Sequence, residues 1–92
     1  MYSVYTLQHS ITKELYFGKT NNLKRRLEEH NSGNQTATHR QSGDWVPVYV
    51  EIYRSKVDAD RREDRLKQHG RAKQELVKRI QSSLQIICFS KI

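Results

Sequence analysis

A chain of 92 residues has room for one modest core, and with 35% hydrophobic content and no apolar run near the roughly 18 residues of a membrane span it reads as one soluble domain over residues 1–92. A single cysteine, Cys88, excludes an internal disulfide framework, and four histidines without tight spacing (His9, His30, His39, His69) make a structural metal site unexpected. The net charge of +7 points to a polyanionic partner, and residues 54–79 concentrate it, with ten basic against five acidic side chains, a pattern suited to phosphate-backbone contacts or to a merely solubilising face.

Residues 2–7 alternate and are rich in Tyr, Val and Thr, predicting a strand with Tyr2, Val4 and Thr6 on one face and Ser3, Tyr5 and Leu7 on the other. A polar connection over 8–13 leads to a second short strand over 14–19. A hairpin closing symmetrically about Ser10 and Ile11 sets Tyr5 opposite Tyr16 and Ser3 opposite Gly18. Gly18 lets the chain turn, and Thr20 or Asn21 can cap a helix that begins near Asn21 and stops at 31–33, where Asn and Gly supply the break. Leu23 and Leu27 define its inward stripe, and helical spacing puts Arg26 and His30 on that stripe, while Lys24, Arg25, Glu28 and Glu29 suit a solvated face. An edge position with side chains snorkelling to water also accounts for Arg26 and His30.

Residues 31–44 hold no large aliphatic or aromatic side chain and read as a long exposed loop, in which His39 and Arg40 could meet a phosphate. The longest strand signal, 45–53, sets Val46, Val48, Val50 and Ile52 on one face and Tyr49, Glu51 and Tyr53 on the other, with Pro47 favouring an edge. Ser55 followed by Asp58 resembles a capping box, predicting a helix over 56–68 that ends at Gly70. Ala59, Arg62, Glu63 and Leu66 form its inward stripe, so Glu63 must pair with a base such as Arg62 or bind a cation. A third helix over 71–83 carries Ala72, Leu76 and Ile80 on one face. The apolar tail, 84–92, either packs back on the core or forms a short strand.

Ser3-Val4-Tyr5, then Tyr16-Phe17-Gly18, Arg26 ten residues after Tyr16, His30 four further and Glu63 within RREDRLK resemble the GIY-YIG endonucleases, in particular their small single-domain members. The likeness spans residues 2 to about 75 and includes the run KTNNLKRRLEEHNSG. Ser3 stands where the first motif usually has Gly, and an Asn that several relatives carry after the glutamate helix has no counterpart, the nearby residues being Lys73 and Glu75.

The resemblance implies an α+β fold: a three-stranded antiparallel sheet flanked by helices in the order β-β-α-β-α-α. It also implies hydrolysis of DNA phosphodiesters with Mg²⁺ (Mn²⁺ substituting) held by Glu63. Arg26 would stabilise the phosphate, and Tyr5, Tyr16 and His30 would place and activate water. Lys19, Arg61, Arg65, Lys67, Arg71 and Lys73 are the expected DNA contacts. A non-catalytic DNA-binding module of the same fold, or a basic protein docking on an acidic partner, would need only the outer basic residues. No leader segment is expected and the location is expected to be cytoplasmic; specificity would come from DNA shape, a homodimer or a protein partner. DNA repair, restriction and mobile-element roles all suit such an activity.

Overall fold

The computed structural model describes residues 1–32 and 43–84; the expectations for His39, Arg40, Cys88 and the tail beyond Leu84 lie outside them. The elements run β1 (Tyr2–His9), β2 (Leu15–Thr20), α1 (Leu23–Asn31), β3 (Trp45–Tyr53), α2 (Lys56–Gln68) and α3 (Gly70–Arg79), followed by a 3₁₀ turn (Gln81–Ser83). The three strands form one antiparallel sheet in the order β2-β1-β3. This is the expected α+β arrangement, with Pro47 on an edge strand, where its missing N–H costs least.

The hairpin is centred one residue later than symmetry about Ser10 and Ile11 predicts, which slips the pairing by two residues. Tyr5 pairs with Gly18 and Leu7 with Tyr16, while Ser3 faces Thr20. The turn explains the shift: the His9 N–H donates to the Glu14 carbonyl at 2.9 Å, the Lys13 N–H donates to the His9 carbonyl at 3.0 Å, and Lys13 adopts a φ of 66°. Inside the turn, the backbone N–H groups of Ile11 and Thr12 both donate to His9 Nδ1, at 3.2 and 3.1 Å. Because the slip is two residues, each side chain keeps its face.

A bulge divides the valine face of β3. Thr6 pairs with Tyr49 and Leu7 with Pro47, which leaves Val48 as the extra residue. Val50 and Ile52 therefore share the face of Tyr5, whereas Val46 and Val48 lie on the opposite one, and Val48 packs there against the core. Ile52 remains 65% exposed.

The sheet separates two packed layers. On one face Val4 and Phe17 meet Ala59 and Leu66 of α2, Leu76 of α3, and Ile80 and Leu84 beyond it. Of the inward residues predicted for the second and third helices, Ala59, Leu66, Leu76 and Ile80 are buried, whereas Arg62, Glu63 and Ala72 are half-buried. On the other face α1 brings half-buried Leu23 and Leu27 onto Tyr5, Leu7, Tyr16, Trp45 and Val50.

The helix ends follow local chemistry. Asn22, rather than Thr20 or Asn21, caps α1: its side chain accepts from the Arg25 N–H at 3.1 Å, while the Thr20 hydroxyl accepts the Asn22 N–H at 3.0 Å. Ser55 caps α2 by accepting from the Val57 N–H. That helix ends at Gln68, and Gly70 opens α3 instead of closing α2, with His69 capping both.

Candidate active site

Gly18 determines how the site is built. Tyr5, from the central strand, lies across the edge strand at Gly18, so a Cβ there would fall 2.4 Å from the Tyr5 hydroxyl oxygen and 2.5 Å from Cζ. Only a residue without a side chain lets the phenol pass. Its hydroxyl shares a 2.9 Å hydrogen bond with Nε2 of His30, which the last turn of α1 delivers. Tyr16 completes a triangle of rings: its centroid is 4.9 Å from that of His30 and 6.4 Å from that of Tyr5. Both His30, at 2% exposure, and Tyr5, at 1%, are buried.

Arg26, one turn before His30, is half-buried and lies near the same hydroxyl. Burial pushes the Tyr5 phenol up to about 12, with the Arg26 guanidinium beside it pulling the other way. That contact in turn raises Arg26 above its ordinary value. One guanidinium nitrogen donates to Glu29 Oε1 at 3.0 Å, so Glu29 orients Arg26 and is not merely part of a solvated face. The Arg26 Nε is buried without a hydrogen-bond partner among the described residues. Desolvation, aided by the Arg26 charge, lowers His30 from 6.5, so its imidazole is neutral at pH 7.

The fifth predicted residue arrives from the other layer. Glu63 is half-buried on α2 and near enough to Tyr5 for its charge to oppose phenol ionisation. Its partner is Lys67, at 3.4 Å, and not Arg62. Arg62 instead forks onto Glu51 of β3, donating from Nε at 2.9 Å and from a terminal nitrogen at 3.0 Å. The Tyr53 and Tyr49 hydroxyls donate to the same carboxylate at 2.5 and 2.9 Å. Burial works to raise the Glu51 carboxyl, but the three donors outweigh it and hold it below its ordinary value; Tyr53 is pushed up to about 12 by burial and by that carboxylate. Glu51 thus fixes α2 against the sheet. Its signal in the sequence was a carboxylate between two tyrosines at alternate positions of one strand.

The six basic residues expected on DNA divide. Lys19 is ion-paired with Asp60 of α2, which also accepts from Lys56 at 3.0 Å; these two ammonium groups lower Asp60, and Asp60 raises Lys19. Lys67 extends past the β2 edge to sit 5.6 Å from the centre of the Tyr16 ring, beside the site. Lys73 lies over Phe17 on the opposite side of the sheet, also at 5.6 Å. Arg61 and Arg71 are exposed and pair weakly with Asp58 and Glu75 of their own helices, and Arg65 is exposed.

A strand-laid tyrosine pair, a helix-borne arginine and histidine, and a glutamate from a second helix thus stand near one another around the β2 edge of the sheet. The sequence model of the GIY-YIG catalytic domain matches residues 1–77, and the chain belongs to that family, whose domain is a nuclease acting on DNA. Among solved structures it is similar to the UPF0213 protein BH0048 from Bacillus halodurans, determined by solution NMR, with 31% identity, a TM-score of 0.53 and coverage of 85% of this chain and 84% of that one. No curated protein matches. Among the described residues no helix is long and apolar enough to cross a membrane.

Proposed function

We propose that the domain is a metal-dependent DNA endonuclease working through Tyr5, Tyr16, Arg26, His30 and Glu63. The observation that carries this reading is their convergence: two layers separated by a sheet each send polar side chains to one rim, where Glu63 of α2 lies close enough to act on the Tyr5 phenol that His30 of α1 contacts. A binding module of the same fold would need only the outer basic residues.

The donor set suits Mg²⁺, with Mn²⁺ substituting. Among the described residues no group of three or more His, Cys, Asp or Glu gathers into a cage. Mg²⁺ commonly keeps several waters and takes one or two carboxylates plus substrate phosphate, so the half-buried Glu63 fits a site of that kind. When bound, such an ion supplies Lewis-acid neutralisation of phosphate charge.

The remaining chemistry belongs to the side chains. Arg26 meets the scissile phosphate with its guanidinium, whose Nε has no hydrogen-bond partner among the described residues. A phenol held near 12 is a poor base unaided, whereas the neutral His30 imidazole can take a proton through the hydroxyl that it already contacts. Tyr16 borders the water position. Lys19, Arg61, Arg65, Lys67, Arg71 and Lys73 contact the DNA, and DNA shape, a second copy of the chain or a protein partner selects which DNA is cut.

Nicking of mixed DNA substrates in Mg²⁺ tests the reading. Glu63→Gln is expected to lower the rate by at least about 10²-fold, the loss typical of one essential charged group, while leaving DNA binding largely intact. Near-normal cleavage by that variant would remove Glu63 from the chemistry, and absence of cleavage by the unaltered protein on duplex, branched and flapped DNA would favour the binding module.

A further inference from the structure

The Lys67 ammonium touches two parts of the site at once, lying 3.4 Å from Glu63 Oε2 and 5.6 Å from the centre of the Tyr16 ring. Helix geometry brings it there, since positions 63 and 67 are one turn apart on α2 and Tyr16 stands on the edge strand beside that helix. Other cations of α2 are engaged elsewhere: Arg62 with Glu51, Lys56 with Asp60 and Arg61 with Asp58.

A divalent ion on the Glu63 carboxylate weakens the hold of an ammonium beside the same oxygen, because the two cations repel at close range. We infer that Lys67 is a tethered counter-ion of Glu63 that competes with the divalent cation for this carboxylate and, once displaced, turns its charge onto the substrate phosphate. It thereby sets the metal concentration at which the site works. This rests on Glu63 being the metal ligand, as proposed above. The ring of Tyr16 gives the displaced ammonium an electron-rich surface to pivot on, so it stays within reach of the phosphate. Lys67 is 44% exposed and its stem is flexible, so the exchange needs no movement of the helix.

Manganese-induced broadening of backbone amide signals, measured on the full chain with Mn²⁺ alone, reads the metal affinity without any cleavage. Lys67→Met keeps the length of the stem and removes the charge. It is expected to bind Mn²⁺ about three- to tenfold more tightly, the size of one exposed ion pair plus the repulsion relieved. Lys67→Arg, which keeps the charge, should stay near the unaltered protein, and Lys67→Gln should follow Lys67→Met. At saturating metal the Lys67→Met variant should cleave more slowly, having lost the phosphate contact. Unchanged Mn²⁺ affinity in both neutral variants, with binding still abolished by Glu63→Gln, would overturn the competition while leaving Glu63 as the ligand. Binding that survives Glu63→Gln would overturn both.

Discussion

The two faces of the sheet are written by alternate residues of the same three strands, yet they are built from different chemistry. One face presents Val4 and Phe17 to Leu66, Leu76 and Ile80, a mainly apolar layer that also carries the Glu51–Arg62 fork with Tyr49 and Tyr53. The other stacks Tyr5, Tyr16, His30, His9 and Trp45, a layer of rings bearing hydroxyl and imidazole groups. Apolar burial stabilises in proportion to area and asks nothing of direction. Polar rings must be satisfied one hydrogen bond at a time. Concentrating the first kind under α2 and α3 lets the second kind be assembled under α1, where direction is what the chemistry requires.

The largest expected effect breaks the aliphatic side. Leu66 is 2% exposed, and Leu66→Ala should cost about 2–5 kcal/mol in denaturant unfolding. Where the variant remains folded, its cleavage rate should stay within about threefold of the original. A far larger loss of rate in folded protein would show that the two layers are not separable. The next effect strikes the ring side. Gly18→Ala puts a methyl group into the Tyr5 phenol, costing about 1–3 kcal/mol, and cleavage should fall even where the protein is fully folded. Unaltered cleavage would mean that the Tyr5–His30 contact has no part in the chemistry.

The smallest effect separates the faces by pH. His30 is lowered from 6.5 by burial, so the unfolded chain takes up its proton first; that contribution is whole above 6.5 and fades as pH falls through the lower folded value. Glu51 is lowered from 4.5, so its contribution is whole above 4.5 and is lost only as pH falls further. Acid unfolding should therefore weaken the ring side first. His30→Gln should remove the loss of stability that sets in below 6.5 and leave the one that sets in below 4.5, which Glu51→Gln should reduce; the reverse assignment would sink this account.

Much of the arrangement was legible because it rests on periodicity. Leu23, Arg26, Leu27 and His30 share a stripe whatever the tertiary context, and so do Ala59, Glu63 and Leu66. What escaped the sequence was set by backbone detail at single positions. The hairpin register turned on the positive φ of Lys13 and on two N–H groups gathered by His9, and no residue-type preference at Lys13 announces that conformation. The bulge at Val48 reassigned Val46 because pairing resumed at Pro47. Glu63 does pair with a base, as its inward position required, but the base is Lys67 one turn on, because Arg62 is taken by Glu51 on a strand eleven residues before it.

Asn31 closes α1 by a device whose effect extends to the covalent durability of the chain. Its amide donates to the Trp45 carbonyl at 3.1 Å and accepts the Trp45 N–H at 2.7 Å, so a side chain supplies the rung that a neighbouring strand would have given. Asparagine followed by serine is prone to deamidate, by attack of the following backbone nitrogen on the side-chain carbonyl carbon. Here that nitrogen, on Ser32, donates to the Glu28 carbonyl at 2.9 Å, and the amide that it would attack is held at both ends. The bond that docks the helix to the sheet thus also slows chemical ageing at Asn31, and conversion to aspartate would replace the donor facing the Trp45 carbonyl with a charge that repels it.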